Sequence, residues 1–270
     1  MNIEQKYEKL LALLRETGGL AVAFSGGVDS SFLLHAAHEA LGERCIALTL
    51  RSVFVPPREL DEAARFCQER GIRQEILEAD VLSIPGVAEN PPDRCYLCKH
   101  SLFTLLRQRA AALGLAALAE GSNTDDLGDY RPGLRAVREL QVLSPLCAAD
   151  LSKAEIRALS RRFGLSTADK PSFACLASRF PYGDTLTAEG LRRVDRAEQL
   201  LLDHGFHQFR VRAHGDLARL ELLPEEMPRL WDDSLRTDIE RSLKSLGFLY
   251  VALDLSGYRA GSLNAALDRP

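Results

Sequence analysis

The sequence predicts an α/β protein, an open parallel sheet wound by helices, followed by a smaller α+β domain. Three observations carry this prediction. Short continuous apolar runs alternate with amphipathic helical stretches through most of the 270 residues, the rhythm of strand–helix–strand units. A glycine-rich hexamer sits between the first apolar run and the helix after it. Beyond Asp184 the order changes to helix, two strands, helix and strand, which suits a separate antiparallel unit.

Each element has its own signal. Residues 3–17 place Tyr7, Leu10, Leu11 and Leu14 on one helical face. Residues 20–24 are continuously apolar, as a strand buried on both faces must be. A helix is expected over 31–41, a strand over 45–50 and a helix over 57–70 with Pro57 at its start. Residues 73–78 and 115–120 read as strands around a helix over 94–113. Ser152 and Glu155 form a capping box for a helix over 152–163. Residues 170–184 lack periodicity, and a long irregular stretch between regular ones suggests a functional loop. A helix over 187–204, strands over 206–213 and 217–223, a helix over 228–246 and a strand over 248–253 complete the chain, with Trp231 expected in the core. The domain boundary is expected near Asp184, giving domains 1–184 and 185–270.

Composition narrows the function. The 46% hydrophobic and 27% charged content is that of a globular protein. Lys and Arg number 34 against 38 Asp and Glu, a net charge of −4 that argues against nucleic acid as the main partner. The longest apolar run, 110–119, falls short of the ~20 residues a spanning helix needs, and the first residues form a charged amphipathic pattern, so a cytoplasmic location is expected. The six cysteines are too scattered for a disulfide framework.

The hexamer Ser25-Gly26-Gly27-Val28-Asp29-Ser30 links a buried strand to a helix. Adjacent glycines let backbone approach an anion, and a helix start offers unpaired N–H groups and a positive dipole end. Ser25, Ser30 and Ser31 add hydroxyls, and Asp29 is placed to hold a magnesium ion on phosphates. A tight capped turn is the plain alternative. The full hexamer favours nucleotide, and it resembles the SGGxDS signature of the PP-loop ATP pyrophosphatases, which split ATP between its α and β phosphates. The stretch Gly121-Ser122-Asn123-Thr124-Asp125-Asp126, at the end of the fourth strand, resembles that family's second active-site segment and adds Gly121, Asp125 and Asp126 as nucleotide or metal contacts. An Asx-turn would use the same aspartates.

Cys95 and Cys98 stand three apart at a helix start between Arg94 and Lys99, where thiolate is favoured, and Cys175 lies in the irregular loop. A lone C-x-x-C cannot complete a zinc site. Three thiolates suit a four-iron cluster with one iron left open, and unrelated half-buried cysteines are the competing reading. Cys45, Cys67 and Cys147 are expected simply to pack.

The strings RCYLCK, EGSNTDD, KPSFACLASRFPYGD, RVRAHGDLARLEL and LDLSGYRAGSLN resemble the LarE family over nearly the whole chain. That resemblance implies an ATP-dependent sulfur transferase of nickel-pincer nucleotide maturation. Its substrate would be pyridinium-3,5-biscarboxylic acid mononucleotide, adenylated with ATP and magnesium and then converted to the thiocarboxylate, with assembly into trimers or hexamers. One branch of the family uses a cysteine matching Cys175 as a sacrificial donor, leaving dehydroalanine. Another has cysteines matching Cys95, Cys98 and Cys175, which hold a [4Fe-4S] cluster carrying transferable sulfide. This chain has all three, so it resembles the cluster branch.

An adenylate makes AMP the leaving group of a carboxylate, and the phosphate charge then needs neutralising. Sulfur must arrive from a donor held beside the acyl group, which makes Cys175 and Asp29 the candidate catalytic residues. For the anionic substrate the candidates are Ser178, Arg179, Arg210 and Arg212, the last two on one face of a strand. Glu198 and Glu221 are candidate partners or acid–base groups, although Glu221 and the two strand arginines would equally suit a solvated face. Competing readings are a tRNA thiolase of the same superfamily, an amidating ligase resembling NAD or GMP synthetase, and a non-enzymatic cluster carrier.

Overall fold

The structure, a computed structural model, describes residues 1–128, 132–171, 173–259 and 261–263. The chain divides into two compact units, Met1–Asp80 with Asp93–Phe173, and Val81–Pro92 with Ala174–Pro270. The change of unit at Phe173/Ala174 precedes Asp184 because the irregular loop and the strap Val81–Pro92 both belong with the second sheet.

The first unit runs α1 (Ile3–Glu16), β1 (Leu20–Ala23), α2 (Val28–Leu41), β2 (Cys45–Arg51), α3 (Pro57–Glu69), β3 (Gln74–Glu78), α4 (Arg94–Ala112), β4 (Ala117–Ala119), α5 (Gly133–Glu139), α6 (Pro145–Ala148) and α7 (Lys153–Arg162). Its strands form the expected parallel sheet in the order β3-β2-β1-β4. Alternation along the strands covers both faces. Leu20, Val22, Cys45 and Ala47 pack with α1, α2 and α7 residues such as Leu10, Phe32 and Ile156. Ala21, Ile46 and Leu48 pack with Phe103, Leu106 and Ala110 of α4. The chain leaves β1 toward β2 on one side and returns to β4 on the other, so the carboxyl ends of β1 and β4 flank a topological switch point, where ligands of such sheets bind.

The second unit contains α8 (Ala188–Asp203), β5 (Phe209–His214), β6 (Leu217–Leu222), α9 (Asp233–Ser245) and β7 (Tyr250–Leu253). The sheet is mixed, not antiparallel throughout. β5 and β6 form a hairpin, whereas β7 runs parallel to β6 because α9 carries the chain back across the sheet. The expected helix over 228–246 is interrupted, since Met227–Trp231 is a short 3-10 turn and the Asp232 side chain caps α9 by accepting from Leu235 N. Trp231 sits on that turn, 71% exposed, so it is not a core residue. The strap is clasped within this unit. Buried Asn90 adopts φ 54°, its Nδ2 donates to Pro181 O at 2.6 Å, and its carbonyl accepts from Gly183 N at 2.9 Å. Asn tolerates that left-handed conformation and alanine does not. Asn90→Ala is expected to lower stability by ~1–3 kcal/mol and to speed proteolysis in 81–92, read by urea unfolding and limited digestion; an unchanged midpoint would refute the clasp.

Candidate active site

Ser25, Gly26 and Gly27 turn the chain from β1 into α2. Gly26 has φ +73°, and a Cβ there would stand 3.1 Å from Ala63 Cβ. Backbone shape and close packing on α3 therefore both demand glycine. Gly27 caps α2 without a side-chain hydrogen bond, which leaves the helix start bare for an anion. The hydroxyls of Ser25 and Ser30 are paired at 3.1 Å, and Ser30 Oγ donates to Gly27 O at 3.1 Å, so the loop is held from inside.

The end of β4 meets this turn directly. A Cβ on Gly121 would lie 2.9 Å from Ser30 N and 3.2 Å from Ser30 Cα. Asn123 Nδ2 donates to Asp29 Oδ1 at 3.3 Å. Asp126 serves the loop itself, its Oδ2 accepting from Asn123 N at 3.1 Å, and Asp125 ties the loop to α7, its Oδ2 accepting from Lys153 N at 3.0 Å. Asp29, half-buried on the first turn of α2, is different, since its Oδ2 accepts from the Lys153 ammonium. The carboxylate expected to hold a magnesium ion thus carries an ammonium here. A second lysine, Lys170, reaches the same turn. Its ammonium donates to Gly26 O at 3.1 Å and pairs with Glu59 at 2.6 Å and Glu62 at 2.7 Å.

The cysteines divide as their surroundings dictate. Cys95 and Cys98 lie on the first turn of α4 in the first unit, Cys95 half-buried and Cys98 buried, and Arg94 Nη2 donates to Cys95 Sγ at 3.7 Å. A helix start and a guanidinium both favour thiolate, the form an iron cluster takes as ligand. Cys175 is exposed and belongs to the second unit. Among the described residues no group of three or more His, Cys, Asp or Glu side chains is gathered to hold a metal ion. Cys45 and Cys67 pack as expected, and burial pushes both thiols up to about 12. Cys147 donates to Ser122 O at 3.2 Å, and burial with the nearby Glu120 and Asp126 carboxylates lifts it to about 11.

In the second unit the candidate residues form one buried network. Arg179 and Glu198 make a bidentate pair, Nε to Oε1 at 2.9 Å and Nη2 to Oε2 at 2.8 Å, both side chains almost wholly buried. Arg179 Nη1 also donates to Ala174 O at 2.6 Å, Cys175 O at 3.1 Å and Ser178 Oγ at 2.9 Å, fixing the backbone of the cysteine loop. Glu198 Oε1 accepts from Val211 N at 3.1 Å, which anchors the pair to β5. Arg212 forks onto Glu221 at 3.0 and 2.9 Å and donates to Ser178 O at 2.6 Å. Glu221 Oε1 accepts from Arg219 at 3.0 Å as well, and Ser262 Oγ lies 3.2 Å from Oε2. Arg210 is buried, donates to Phe209 O at 2.6 Å and lies 5.0 Å from the Tyr258 ring centroid. Burial, with Arg179 close by, pushes Arg210 down to about 10, which leaves it charged at neutral pH. Glu198, by contrast, is held below the ordinary carboxylate value: burial is the largest single influence and opposes its charge, but Arg179, Arg210 and the Val211 N–H together outweigh it. This strand face is buried, not solvated, and it carries more guanidinium than carboxylate.

The chain matches no family model. It is 41% identical over 267 residues, 99% of its length and all of the relative's, to an uncharacterized protein of Synechocystis sp.. Over 266 residues, 98% of this chain and 95% of the relative, it is 39% identical to the pyridinium-3,5-bisthiocarboxylic acid mononucleotide synthase of Lactiplantibacillus plantarum. This chain belongs to the LarE family. It is an ATP-dependent sulfur transferase of the PP-loop superfamily. The superfamily shows in 29% identity over 56% of the chain to the tRNA-specific 2-thiouridylase of Rickettsia felis, 52% of that relative.

Within the LarE motifs, Ser172, Ala260 and Asn264 lie outside the described residues. The sequence did not mark Asn123, Lys153 and Lys170 as members of the cluster at the glycine turn. Lys170 opens the string KPSFACLASRFPYGD and Asn123 lies inside EGSNTDD, so both stood within motifs already singled out. Lys153 had one signal, a cation in the first turn of a capped helix, where the dipole disfavours it.

Two expectations follow for this family member. Gly121→Ala puts a methyl group against the α2 backbone, and overpacking of this kind costs ~1–3 kcal/mol. It should also weaken binding of an ATP analogue in calorimetry; full retention of both would show that the β4–α2 contact is dispensable. Glu198→Gln removes the partner of a buried cation, a change that costs ~3–5 kcal/mol. Because Glu198 titrates lower when folded, its contribution is complete above its unfolded value of about 4.3 and fades as pH falls through the depressed folded value. The wild type should therefore lose stability more steeply than Glu198→Gln as pH falls from the unfolded value to the lower folded one, and parallel curves from pH-dependent urea unfolding would contradict the assignment.

Proposed function

We propose that this chain converts pyridinium-3,5-biscarboxylic acid mononucleotide into its bisthiocarboxylic form, the product that the name of the Lactiplantibacillus relative gives. One observation carries the reading furthest. The guanidinium that fixes the carbonyls of Ala174 and Cys175 lies buried with Arg210 and Arg212, so the proposed anion contacts and the cysteine loop share one support. A substrate bearing a phosphate and two carboxylates needs such excess cationic charge, and guanidinium groups bind both kinds of oxyanion. Arg210, Arg212 and Arg179, with Ser178, are its proposed contacts.

In the proposed reaction ATP lies on Ser25, Gly26, Gly27 and Ser30, with Gly121, Asp125 and Asp126 shaping the opposite wall. Magnesium, when bound at Asp29, neutralises charge on the phosphates. A substrate carboxylate oxygen attacks the α-phosphorus, the bond to the β-phosphate oxygen breaks, and pyrophosphate leaves. Sulfur then attacks the acyl carbon, the carbon–oxygen bond to AMP breaks, and AMP leaves with that electron pair. The second carboxylate repeats the sequence. Glu198 and Glu221 are positioning residues here, since their carboxylate oxygens are committed to guanidinium, amide and hydroxyl donors. Cys95, Cys98 and Cys175 are the proposed ligands of a [4Fe-4S] cluster, whose chemistry is to present a transferable sulfide. The first domain is proposed to bind nucleotide and the second substrate and neighbouring protomers, in a cytoplasmic trimer or hexamer. The exposure of Cys175 supports a second reading, in which its own sulfur is given up and dehydroalanine remains.

The test uses anaerobically prepared full-length protein with ATP, Mg²⁺ and the biscarboxylic mononucleotide, following AMP, pyrophosphate and product mass. AMP release should require the substrate and fall about 100-fold in Asp29→Asn, the scale on which removal of one charge-stabilising group acts. Iron and labile sulfide lost in Cys95→Ala, Cys98→Ala and Cys175→Ala would support the cluster. An iron-free protein whose Cys175 becomes dehydroalanine during turnover would support the sacrificial reading. Substrate-independent AMP release, or ammonia as the required acceptor, would overturn the function.

A further inference from the structure

The two lysines at the glycine turn are held in contrasting ways. Lys170 is 11% exposed and its ammonium meets Gly26 O, Glu59 and Glu62, so its three donors are spent. Lys153 pairs with Asp29 while the two side chains remain 30% and 23% exposed. An ion pair this open to water is weak and readily exchanged. Lys153 is nevertheless aimed with care. It occupies the first position of α7, where the helix dipole disfavours a cation. Its backbone N–H is tied to Asp125. The turn before it is fixed by the Ser152–Glu155 capping box and by Lys6, whose ammonium pairs with Glu155 at 3.0 Å and Asp150 at 3.1 Å. A rigid base thus presents a loosely held cation to the carboxylate on the first turn of α2.

We propose that Lys153 is a placeholder cation that occupies Asp29 until the metal–nucleotide arrives, then yields the carboxylate to the metal and turns to the phosphate oxygens. This rests on the reading of the glycine turn as the ATP–magnesium site. An unpaired Asp29 at the start of α2 would repel a polyphosphate, and the ammonium removes that repulsion. The same ammonium competes with a bare metal ion for Asp29. Only when phosphate offers Lys153 another partner does the metal gain the carboxylate without opposition. Metal and nucleotide binding are thereby coupled, each strengthening the other by the same factor. Lys153 is a positioning residue in this scheme, and Lys170 takes no part in the exchange.

The test is titration of the full-length protein with Mn²⁺, followed by electron paramagnetic resonance, with and without α,β-methylene-ATP. That analogue cannot be cleaved between the α and β phosphates. Lys153→Met should bind Mn²⁺ alone about fivefold more tightly than wild type, the factor corresponding to the ~1 kcal/mol of one exposed ion pair. At saturating Mn²⁺ the same variant should bind the analogue more weakly, and Lys153→Arg should restore wild-type behaviour in both. Asp29→Asn should lose the tight Mn²⁺ component in either background. Unchanged Mn²⁺ affinity in Lys153→Met, with analogue binding intact in wild type, would overturn the placeholder role alone. Failure of wild type to bind the analogue at all would overturn the nucleotide reading, and the exchange with it.

Discussion

The contact that the first unit depends on is the close approach of the end of β4 to the first turn of α2. Gly121 stands where any side chain would strike the backbone at Ser30. Two loops from strands distant in sequence are therefore brought together at the switch point of the sheet. Asn123 can bond Asp29 only because this contact is short. The loop then uses its own carboxylates, Asp125 and Asp126, to satisfy backbone N–H groups. Asp29 is left as the carboxylate whose partners are side chains, and side-chain partners can move.

The second unit follows an opposite logic. Buried charges are costly unless each is paired and hydrogen-bonded, and breaking one leaves its partner stranded. Arg179, Glu198, Arg212 and Glu221 meet that condition with forked geometry and additional backbone acceptors. Such a network holds shape more than it adds net stability. What it shapes is the carbonyl ladder of the cysteine loop, through Arg179 onto Ala174 and Cys175 and through Arg212 onto Ser178.

Much of this was legible in the sequence, for identifiable reasons. A strand buried on both faces must be mostly apolar, so residues 20–24 and 45–50, where Thr49 alone is polar, stood out as strands. The mixed second sheet was not legible, because strand direction depends on where α9 crosses and not on local pattern. Trp231 misled because a large aromatic is usually buried, while here a 3-10 turn capped by Asp232 lifts it out. The strap Val81–Pro92 could not be assigned to the second unit, since its clasp is made of side-chain-to-carbonyl bonds that leave no periodicity. Lys153 and Lys170 escaped for a related reason, since surface lysines are common and only tertiary contact separates a structural or functional lysine from a solvated one.

Proton transfer is the chemistry that a carboxylate-rich site most readily suggests, and here adenylation and acyl transfer to a sulfide do not call for it. A carboxylate is already a nucleophile at neutral pH. Pyrophosphate and AMP leave as anions that need charge neutralisation more than protonation. A general acid or base would require a group poised near neutral pH with a free lone pair or proton. Glu198 is instead held below the ordinary range, against the opposing effect of burial, by Arg179, Arg210 and the Val211 N–H, with both oxygens committed. Charges locked in pairs make a poor proton relay and a good scaffold for anions. The arginines supply fixed positive charge, the helix start supplies oriented N–H groups, and the ion pair proposed to change partners is the half-buried one between Lys153 and Asp29.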